Sequence, residues 1–536
     1  MYILLLLGTP GAPWTDEELS TIKTRIRWII RNPVDGLKLA EGGAQAMADQ
    51  ESKEGIPFGL RKDAILPNLA KIVRLTFHDC INEVSGAGCN GCLNFHGMGN
   101  IYSHDPCSKP WSKVNCETID NGTHPAKGPF ATDNNNLLWV AKVLEVVYRE
   151  DNFGEKSLFD LGKSRADLWA YAGLVSIEYA VEKNNKLCNI NGAEAPCLNQ
   201  IDDKSERCDF NLPEVSFKTG RSDCVPSCTG DNDHPFCTTA EEIHPNQHGN
   251  GEETVKFFKD NFNFSPRATA ALMGVHTLGH PNEANSMFRH YPWTQQGKEE
   301  FNNFYYINIV NSTAYRYAPP AKVLRSKGIK PTTCGLKVSA FIGDEYGNPM
   351  PAGYKVRSEL RTKSYGPWNW NLFGKQCSQT ICNELAAAGE EYAMNSCCHH
   401  VDYCATVEKC QFSGTNYLCK SSDGTQCTEL KQFLRTNMLS PDMGLYIKFD
   451  TDENGRPQGC PGLDSARWVS NKDKFSGIAS CPLNDAPADD ELTMAEVMEL
   501  YAKDNKVWVQ DFMDVFMKML ENGVDQASLV ESPKLW

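Results

Sequence analysis

The sequence predicts a mainly α-helical protein that carries a long cysteine-rich insertion. Apolar residues recur at helical spacing in several separate stretches. The 22 cysteines are even in number and dispersed along much of the chain. Between residues 312 and 434 the helical stretches give way to strand-like alternation and clustered cysteines. Two of the helical stretches contain histidines, and these two point to a function.

The composition narrows the class of protein. Asp and Glu number 68 against 53 Lys and Arg, a net charge of -15, which disfavours nucleic acid or an anionic membrane surface as the main partner. So many thiols would be a hazard in a reducing cytosol, so the cysteine count favours an oxidising compartment and a disulfide framework.

The N-terminal stretch and three sequons also favour secretion. Residues 1–14 have an apolar core followed by small residues, and they lack a basic region before that core. They therefore resemble an abbreviated signal peptide. No other run is long and apolar enough to span a bilayer. Glycosylation sequons at Asn121, Asn263 and Asn311 fit a secreted, soluble glycoprotein.

The first helix and the segment after it are predicted from local signals. Thr15 and Glu18 form a capping-box pattern that opens a helix over residues 15–31. Residues 32–57 are rich in glycine and charge, which predicts a loop.

The stretch 65–80 predicts the helix that carries the first functional residues. Arg74 and His78 are four residues apart, hence one turn apart on the same side, beside the apolar stripe. A fixed cation and a titratable imidazole at this spacing suit proton transfer and the stabilisation of developing negative charge. A capped surface helix with a solvated Arg and His is the alternative.

Glycine and cysteine mark the segment that follows. In a loop-rich secreted setting, the CxxC of Cys89 and Cys92 favours disulfide bonding over thioredoxin chemistry. Helices are predicted over 137–148 and 164–180. In the second of these, Asp167 lies among apolar neighbours, so it needs a cationic partner if it is buried.

A second histidine-bearing helix follows residues 188–250, which predict mostly irregular structure. Ser265 is the expected N-cap, Pro266 the first helical residue and Gly279 the stop. His276 lies on the apolar side and points inward. A satisfied core histidine is the common interpretation of such a position, but an axial haem ligand also needs a neutral imidazole in an apolar pocket.

These two histidine helices, the first with an Arg one turn before its His, call for a joint explanation. The segments RLTFHDC (74–80) and ALMGVHTLGH (271–280) resemble the distal and proximal histidine signatures of the plant-type haem peroxidase superfamily. Further matches, among them helices over 301–311 and 506–523, extend the resemblance over about 60–311 and 436–523. The resemblance implies a helical fold of two lobes that sandwich one haem b.

On the distal side the resemblance implies roles for four residues. His78 would take a proton from hydrogen peroxide and return it to the outer oxygen, so that water leaves. Arg74 would stabilise the charge that builds as the O–O bond breaks. Phe77 would wall the pocket, and Asn134 would orient His78. A turn or N-cap in an Asn-rich loop is the alternative for Asn134.

On the proximal side the chain resembles cytochrome c peroxidase and ascorbate peroxidase. His276 would be the axial ligand of the haem iron, and Asp442, set in an otherwise apolar segment, would hold its other ring nitrogen and make it electron-rich. Trp293 resembles the proximal tryptophan, one residue further from His276 than in those relatives. If stacked on His276 and hydrogen-bonded to Asp442, it could hold an oxidising equivalent; a plain core tryptophan is the alternative.

The resemblance also assigns structural residues. Asp167 and Arg221 match the buried ion pair of the family. Cys80 and Cys89 belong to the expected disulfide framework. With its abundant cysteine, the distal side resembles the secreted fungal and plant branches, which hold structural calcium.

The calcium pattern of those branches is only partly present. Asp79 matches a distal ligand position, but Asn90 and Cys92 stand where Asp and Ser are expected, and sulfur is a poor ligand for calcium. Thr277 matches a proximal position, but Asn302 replaces an expected Asp. The sequence therefore argues against a tight proximal calcium and leaves a distal one open.

The largest departure from the family is the insertion. Residues 335–356 alternate like strands around a turn, and 377–427 hold eight cysteines. The motif CCHHVDYC (397–404) invites a zinc interpretation, but disulfides are favoured in a secreted chain. We expect a disulfide-bonded insertion on the proximal side that binds an extracellular protein partner or restricts access to haem.

The predicted division of the chain is a signal peptide (1–14), the distal lobe and proximal His helix (15–311), the insertion (312–434), the C-terminal part of the proximal lobe (435–523) and a tail (524–536).

The sequence as a whole predicts a secreted haem peroxidase that responds to oxidative stress by reducing hydrogen peroxide to water. The electron donor is expected to be a small aromatic or phenolic molecule, although no motif identifies it. Two alternatives remain: a haem-binding protein with the peroxidase fold and little turnover, and an extracellular matrix or adhesion module whose insertion is the functional part.

Overall fold

The computed structural model describes much of the chain outside the insertion and shorter pieces within it. The described residues are 13–52, 65–81, 88–95, 134, 137–188, 210–229, 233–240, 242–245, 250–280, 293–294, 299–310, 316–318, 369–377, 409–413, 416–420, 432–448, 450–451, 457–459 and 482–534.

Helices dominate these residues, which confirms the predicted mainly α class. In chain order they are α1 (Asp16–Arg31), α2 (Pro33–Leu39), α3 (Gly43–Ser52), α4 (Leu69–Asp79), α5 (Leu138–Arg149), α6 (Arg165–Cys188), α7 (Gly251–Phe262), α8 (Pro266–Met273), α9 (Phe304–Val310), α10 (Ser440–Met443), α11 (Met494–Lys503) and α12 (Asn505–Met519). Among the residues described, no helix combines the length and apolar character needed to cross a membrane.

Capping residues explain where two of the predicted helices begin. The Thr15 side chain accepts a hydrogen bond from the N–H of Glu18, and the Glu18 carboxylate accepts one from the N–H of Thr15, which is the expected capping box. Ser265 caps α8 through the N–H of Ala268, and Pro266 follows at the first helical position. Both helix starts are confirmed.

The loop predicted over 32–57 is wrong. Helices α2 and α3 lie there, and Leu37 and Met47 are buried in the core. Pro33 explains the first of these helices, because its fixed φ suits the first helical position. The irregular segment predicted over 188–250 contains a short strand within its described part, β1 (Ser216–Thr219).

Short strands complete the described structure. They are β2 (Arg316–Ala318), β3 (Asn369–Cys377), β4 (Lys409–Ser413), β5 (Asn416–Lys420), β6 (Gln432–Leu439), β7 (Asp450–Thr451), β8 (Pro457–Gly459) and β9 (Val530–Lys534). All pair antiparallel, in the orders β1-β9, β2-β3-β6, β4-β5 and β7-β8. In the three-stranded sheet, Asn369 of β3 pairs with Leu439 of β6, directly before α10. The strands predicted over 335–356 and the motif at 397–404 lie outside the described residues.

Described residues from both predicted terminal segments contribute to the packed fold. Trp14, the last residue of the predicted signal peptide, is 2% exposed, and its ring centroid lies 5.7 Å from that of Tyr171. The boundary predicted at residue 14 therefore falls inside the packed structure. In the predicted tail, β9 pairs with β1.

Helix α4 is held against α6 at a point of close approach. The Thr76 hydroxyl donates to the carbonyl of Trp169 at 2.9 Å. A Cβ built on Gly173 would lie 2.6 Å from Thr76 Oγ1 and 3.0 Å from its Cβ, so only glycine fits there without displacement. This contact sets where α4, and therefore Arg74 and His78, lie relative to the core.

A buried ion pair and three disulfides fix the region around α4 and α6. Arg221 Nη1 lies 2.8 Å from Asp167 Oδ1, and both side chains are almost fully buried. Asp167 also accepts from the N–H of Gly220, and Arg221 donates from Nε to the Leu520 carbonyl. The two cysteines of the CxxC do not bond to each other; the disulfides between described residues are Cys80–Cys89, Cys92–Cys224 and Cys228–Cys237.

Candidate active site

Helix α4 presents Arg74, Phe77 and His78 on neighbouring positions. His78 is 8% exposed, and Arg74 is half-buried one turn earlier. The guanidinium Nε donates to His78 Nε2 at 3.3 Å. Phe77 packs beside the imidazole and against Phe258 and Phe262 of α7, with ring centroids about 6 Å apart.

Asn134 fixes the tautomer of His78. The amide Nδ2 of Asn134 donates to the Asn94 carbonyl at 3.0 Å and to Glu242 Oε2 at 2.7 Å, so its Oδ1 must face His78. His78 Nδ1 lies 2.8 Å from that oxygen and is therefore the protonated nitrogen. Nε2 is therefore the basic nitrogen, and its lone pair accepts the hydrogen bond from Arg74 Nε.

Glu242 and His244 extend this network and were missed by the sequence analysis. Glu242 is 2% exposed; its Oε1 accepts from the N–H of Asn94 at 2.6 Å, and its Oε2 lies 2.8 Å from His244 Nε2. The rings of His244 and His78 have centroids 5.0 Å apart. The stretch EEIHPN carries the two residues, but nothing in its spacing relates them to α4.

Electrostatics keep His78 neutral. Burial, followed by the nearby charge of Arg74 and then by His244, lowers the pKa of His78 well below its ordinary value, against the opposing effect of the Asn134 hydrogen bond. A neutral imidazole with a protonated Nδ1 can accept a proton at Nε2.

His276 lies in a single 3-10 turn, Gly274–Thr277, that continues α8. Gly279 ends this segment in the left-handed region (φ +76), as the predicted stop requires. His276 Nδ1 lies 2.6 Å from Asp442 Oδ1. Asp442 is fully buried at the start of α10, where its Oδ2 accepts from the N–H of Leu439.

Two aromatic side chains complete the proximal side. Trp293 stacks on His276, with centroids 4.8 Å apart and planes 18° apart. The hydrogen bond to Asp442 that was considered for Trp293 is instead made by Tyr305, whose hydroxyl donates to Oδ1 at 2.9 Å. Tyr305 is fully buried on α9, and the sequence analysis assigned it no role.

The residues considered for calcium make mostly protein contacts. Asp79 Oδ1 accepts from the N–H groups of Asn90 and Gly91, and burial raises the pKa of Asp79 well above its ordinary value. Within the described residues, Asp79 Oδ2 has no hydrogen-bond partner, and no cluster of three or more His, Cys, Asp or Glu could hold a metal ion. Cys92 is a half-cystine, which makes it a poor calcium ligand.

On the proximal side, the corresponding side chains bond within the protein. The Thr277 hydroxyl donates to the Glu300 carbonyl at 3.3 Å. Asn302 donates to Asn184 Oδ1 and accepts from the N–H of Phe304.

The residues around His276 fit the haem that the resemblance implies. With Nδ1 engaged by Asp442, Nε2 is the nitrogen that can bind iron, and the carboxylate fixes the ring in that state. The His276 side chain is 27% exposed although Asp442 is fully buried, so the ring retains an open edge. A histidine whose Nδ1 is held by a buried carboxylate fits the axial ligand of a haem.

The chain matches a known family over part of its length. Residues 131–327 match the family model described as Peroxidase. This range contains α8, His276 and the segment that carries Glu242. No curated protein matches the chain. Together with the geometry of the two histidines, the family match supports a haem peroxidase, an oxidoreductase that acts on hydrogen peroxide.

Proposed function

We propose that the protein is a secreted haem peroxidase in which His276 is the axial ligand and His78 is the acid–base residue. One observation carries the proposal: each of the two imidazoles is held by a buried partner in a defined tautomer, through Nδ1. In both residues Nε2 is the nitrogen that would act, as a metal ligand in His276 and as a proton acceptor in His78.

The distal residues would act on the peroxide. Bound haem b would supply the iron at which peroxide binds and is reduced. Nε2 of His78 accepts the proton from the inner oxygen of peroxide and returns it to the outer oxygen, which leaves as water. The guanidinium of Arg74 offsets the negative charge that develops during O–O cleavage. Asn134 keeps His78 in the required tautomer, and Phe77 narrows the pocket.

The proximal residues would set the electronic character of the ligand. Asp442 accepts a hydrogen bond from the Nδ1–H group of His276, which increases the electron density on Nε2. Trp293, stacked on that ring, is an oxidisable side chain in direct contact with the ligand. It holds no hydrogen bond to Asp442, so its oxidation would not be coupled to proton transfer at that carboxylate.

Secretion and the electron donor belong to the same proposal. Disulfides among the described residues are consistent with an oxidising, extracellular location. A small aromatic or phenolic molecule is the proposed donor. The segment 377–427 would serve an extracellular protein partner.

Rapid mixing with hydrogen peroxide tests the proposed role of His78. For the haem-loaded protein, His78→Leu is expected to lower the second-order rate constant by about 10²–10⁴-fold, because the acid–base residue is lost. His234→Gln, a histidine packed on Phe236 outside the site, serves as the control and keeps the wild-type rate. An unchanged rate in His78→Leu would refute the assignment.

Deletion within the insertion tests the alternative that the protein is a matrix or adhesion module. Deletion of residues 377–427 should leave the reaction with peroxide intact if the protein is an enzyme. Loss of partner capture with unchanged turnover would assign the module function to the insertion, whereas wild-type protein that binds haem but shows no reaction with peroxide would favour the haem-binding alternative.

A further inference from the structure

Asp442 accepts two hydrogen bonds on the same carboxylate oxygen. His276 Nδ1 lies 2.6 Å from Oδ1, and the Tyr305 hydroxyl lies 2.9 Å from that atom. Among the described residues, the other oxygen, Oδ2, accepts the longer bond from the N–H of Leu439, at 3.2 Å. Tyr305 and Asp442 are both fully buried, so water does not compete for these positions.

The shared oxygen has a predictable consequence for the axial ligand. A donor to a carboxylate stabilises its negative charge and makes it a weaker acceptor toward its other partners. The phenol therefore reduces the pull of Asp442 on the Nδ1 proton of His276. Since that pull determines the electron density on Nε2, Tyr305 acts on the metal ligand through Asp442.

We propose that Tyr305 is a positioning residue that sets the electron-donating strength of His276 by sharing Asp442 Oδ1 with it. The hydroxyl also fixes the carboxylate beside the imidazole. The ring centroids of Tyr305 and His276 lie 6.2 Å apart, and the two rings meet edge to face. The inference rests on the proposed role of His276 as the axial ligand.

The neighbouring Tyr306 provides a matched control. It is equally buried and lies on the same helix, but its hydroxyl donates to the carbonyls of Ala270 and Ala271 and not to Asp442. Removal of its hydroxyl perturbs α8 without changing the hydrogen bonding of the carboxylate. A merely structural effect on the proximal side should therefore appear in both Phe variants.

The test measures the reduction potential of the haem-loaded protein and the iron–histidine stretching frequency of its ferrous form by resonance Raman spectroscopy. Tyr305→Phe should shift the potential to a more negative value and raise the stretching frequency, because Asp442 then pulls harder on His276. Asp442→Asn should shift both in the opposite direction. Tyr306→Phe should leave both at the wild-type values.

A second substitution keeps the test decisive if Tyr305→Phe does not fold. Site-specific 3-fluorotyrosine at position 305 retains the ring and makes the phenol a stronger donor. It should shift the potential to a more positive value and lower the stretching frequency. Wild-type values in both position-305 variants, or equal shifts in Tyr305→Phe and Tyr306→Phe, would overturn the proposal.

A further variant distinguishes failure of this inference from failure of the proposed function. If His276 is not the axial ligand, His276→Ala retains an iron–histidine band. In that case Asp442→Asn also leaves the band unshifted, whatever Tyr305 does.

Discussion

His78 depends on a chain of side chains that reaches across more than a hundred residues of sequence. Its partner Asn134 is oriented by Glu242, which is 108 residues further along. Arg74 and His78 could be recognised from sequence because one helical turn joins them. Glu242 and Tyr305 could not, because their contacts join residues 108 and 137 positions apart and follow no local periodicity.

Loss of the Glu242 carboxylate should impair the reaction with peroxide. In Glu242→Ala the Asn134 amide loses the shorter of its two hydrogen bonds, so its orientation, and with it the tautomer of His78, is less firmly fixed. We expect the rate constant for peroxide to fall by about tenfold or more, the equivalent of one hydrogen bond to a charged group. Stopped-flow absorbance measures it. Glu252→Gln, on the exposed side of α7, should match wild type, and an equal loss in both variants would contradict this account.

Glu300 should make stability depend on pH. Burial, reinforced by nearby Glu299, raises the pKa of Glu300 to about 7, against the opposing charge of Lys183. In the unfolded chain the ordinary pKa applies, so between the two values the folded state binds more protons and the free energy of unfolding falls as pH rises. Glu300→Gln removes this dependence and should stabilise the protein at about pH 8 by up to about 3 kcal/mol.

Urea unfolding at about pH 5 and about pH 8 measures the effect, which should be about fourfold smaller at the lower pH. The matched control is Glu299→Gln. Oε2 of Glu299 lies 2.5 Å from Nζ of Lys183, so Glu299→Gln removes an ion pair and should not stabilise the protein at either pH. Equal stability of wild type and Glu300→Gln at the higher pH would show that Glu300 is ionised in the folded state without cost.

At the scale of elements, sequence predicted best where capping residues and apolar periodicity agreed. The starts of α1 and α8 were readable because Thr15 and Ser265 each supply a side-chain oxygen to a free N–H. Residues 32–57 were misassigned because their glycines suggested turns, whereas burial of Leu37 and Met47 stabilises two short helices. Tertiary burial outweighed local propensity there.

The crossing of α4 and α6 should be intolerant of one methyl group. Gly173→Ala places a Cβ against Thr76 and should destabilise the protein by about 1–3 kcal/mol through overpacking. Thermal or urea unfolding measures the change. In a double-mutant cycle with Thr76→Ala, which removes the two nearest atoms, the two substitutions should couple favourably. Additive effects would contradict the assigned contact.

At the scale of the whole molecule, the disulfides could be expected from the cysteine count but their pairing could not. Spacing alone leaves many connectivities open, and the CxxC suggested no partner for either cysteine. The fold decides, because the segment that carries Leu93 runs beside Phe236 and Cys237 and brings Cys92 near Cys224.

Two of the disulfides between described residues should contribute unequally to stability. Cys92–Cys224 closes a loop with a sequence separation of 132, and Cys228–Cys237 one of 9. Because loop-closure entropy grows with loop length, replacement of the first pair by alanine should cost about 4–5 kcal/mol and of the second about 2–3 kcal/mol. Urea unfolding of the two double variants tests the order, and a larger loss from the short loop would contradict it.

The central claim is that His276 binds the iron of a haem. Reconstitution of wild-type protein and His276→Ala with hemin, followed by absorption spectroscopy, tests this claim most directly. We expect a Soret band in wild type that shifts on addition of peroxide, and the loss of that band in His276→Ala, with partial recovery when free imidazole is added. The same Soret band in wild type and His276→Ala would contradict it.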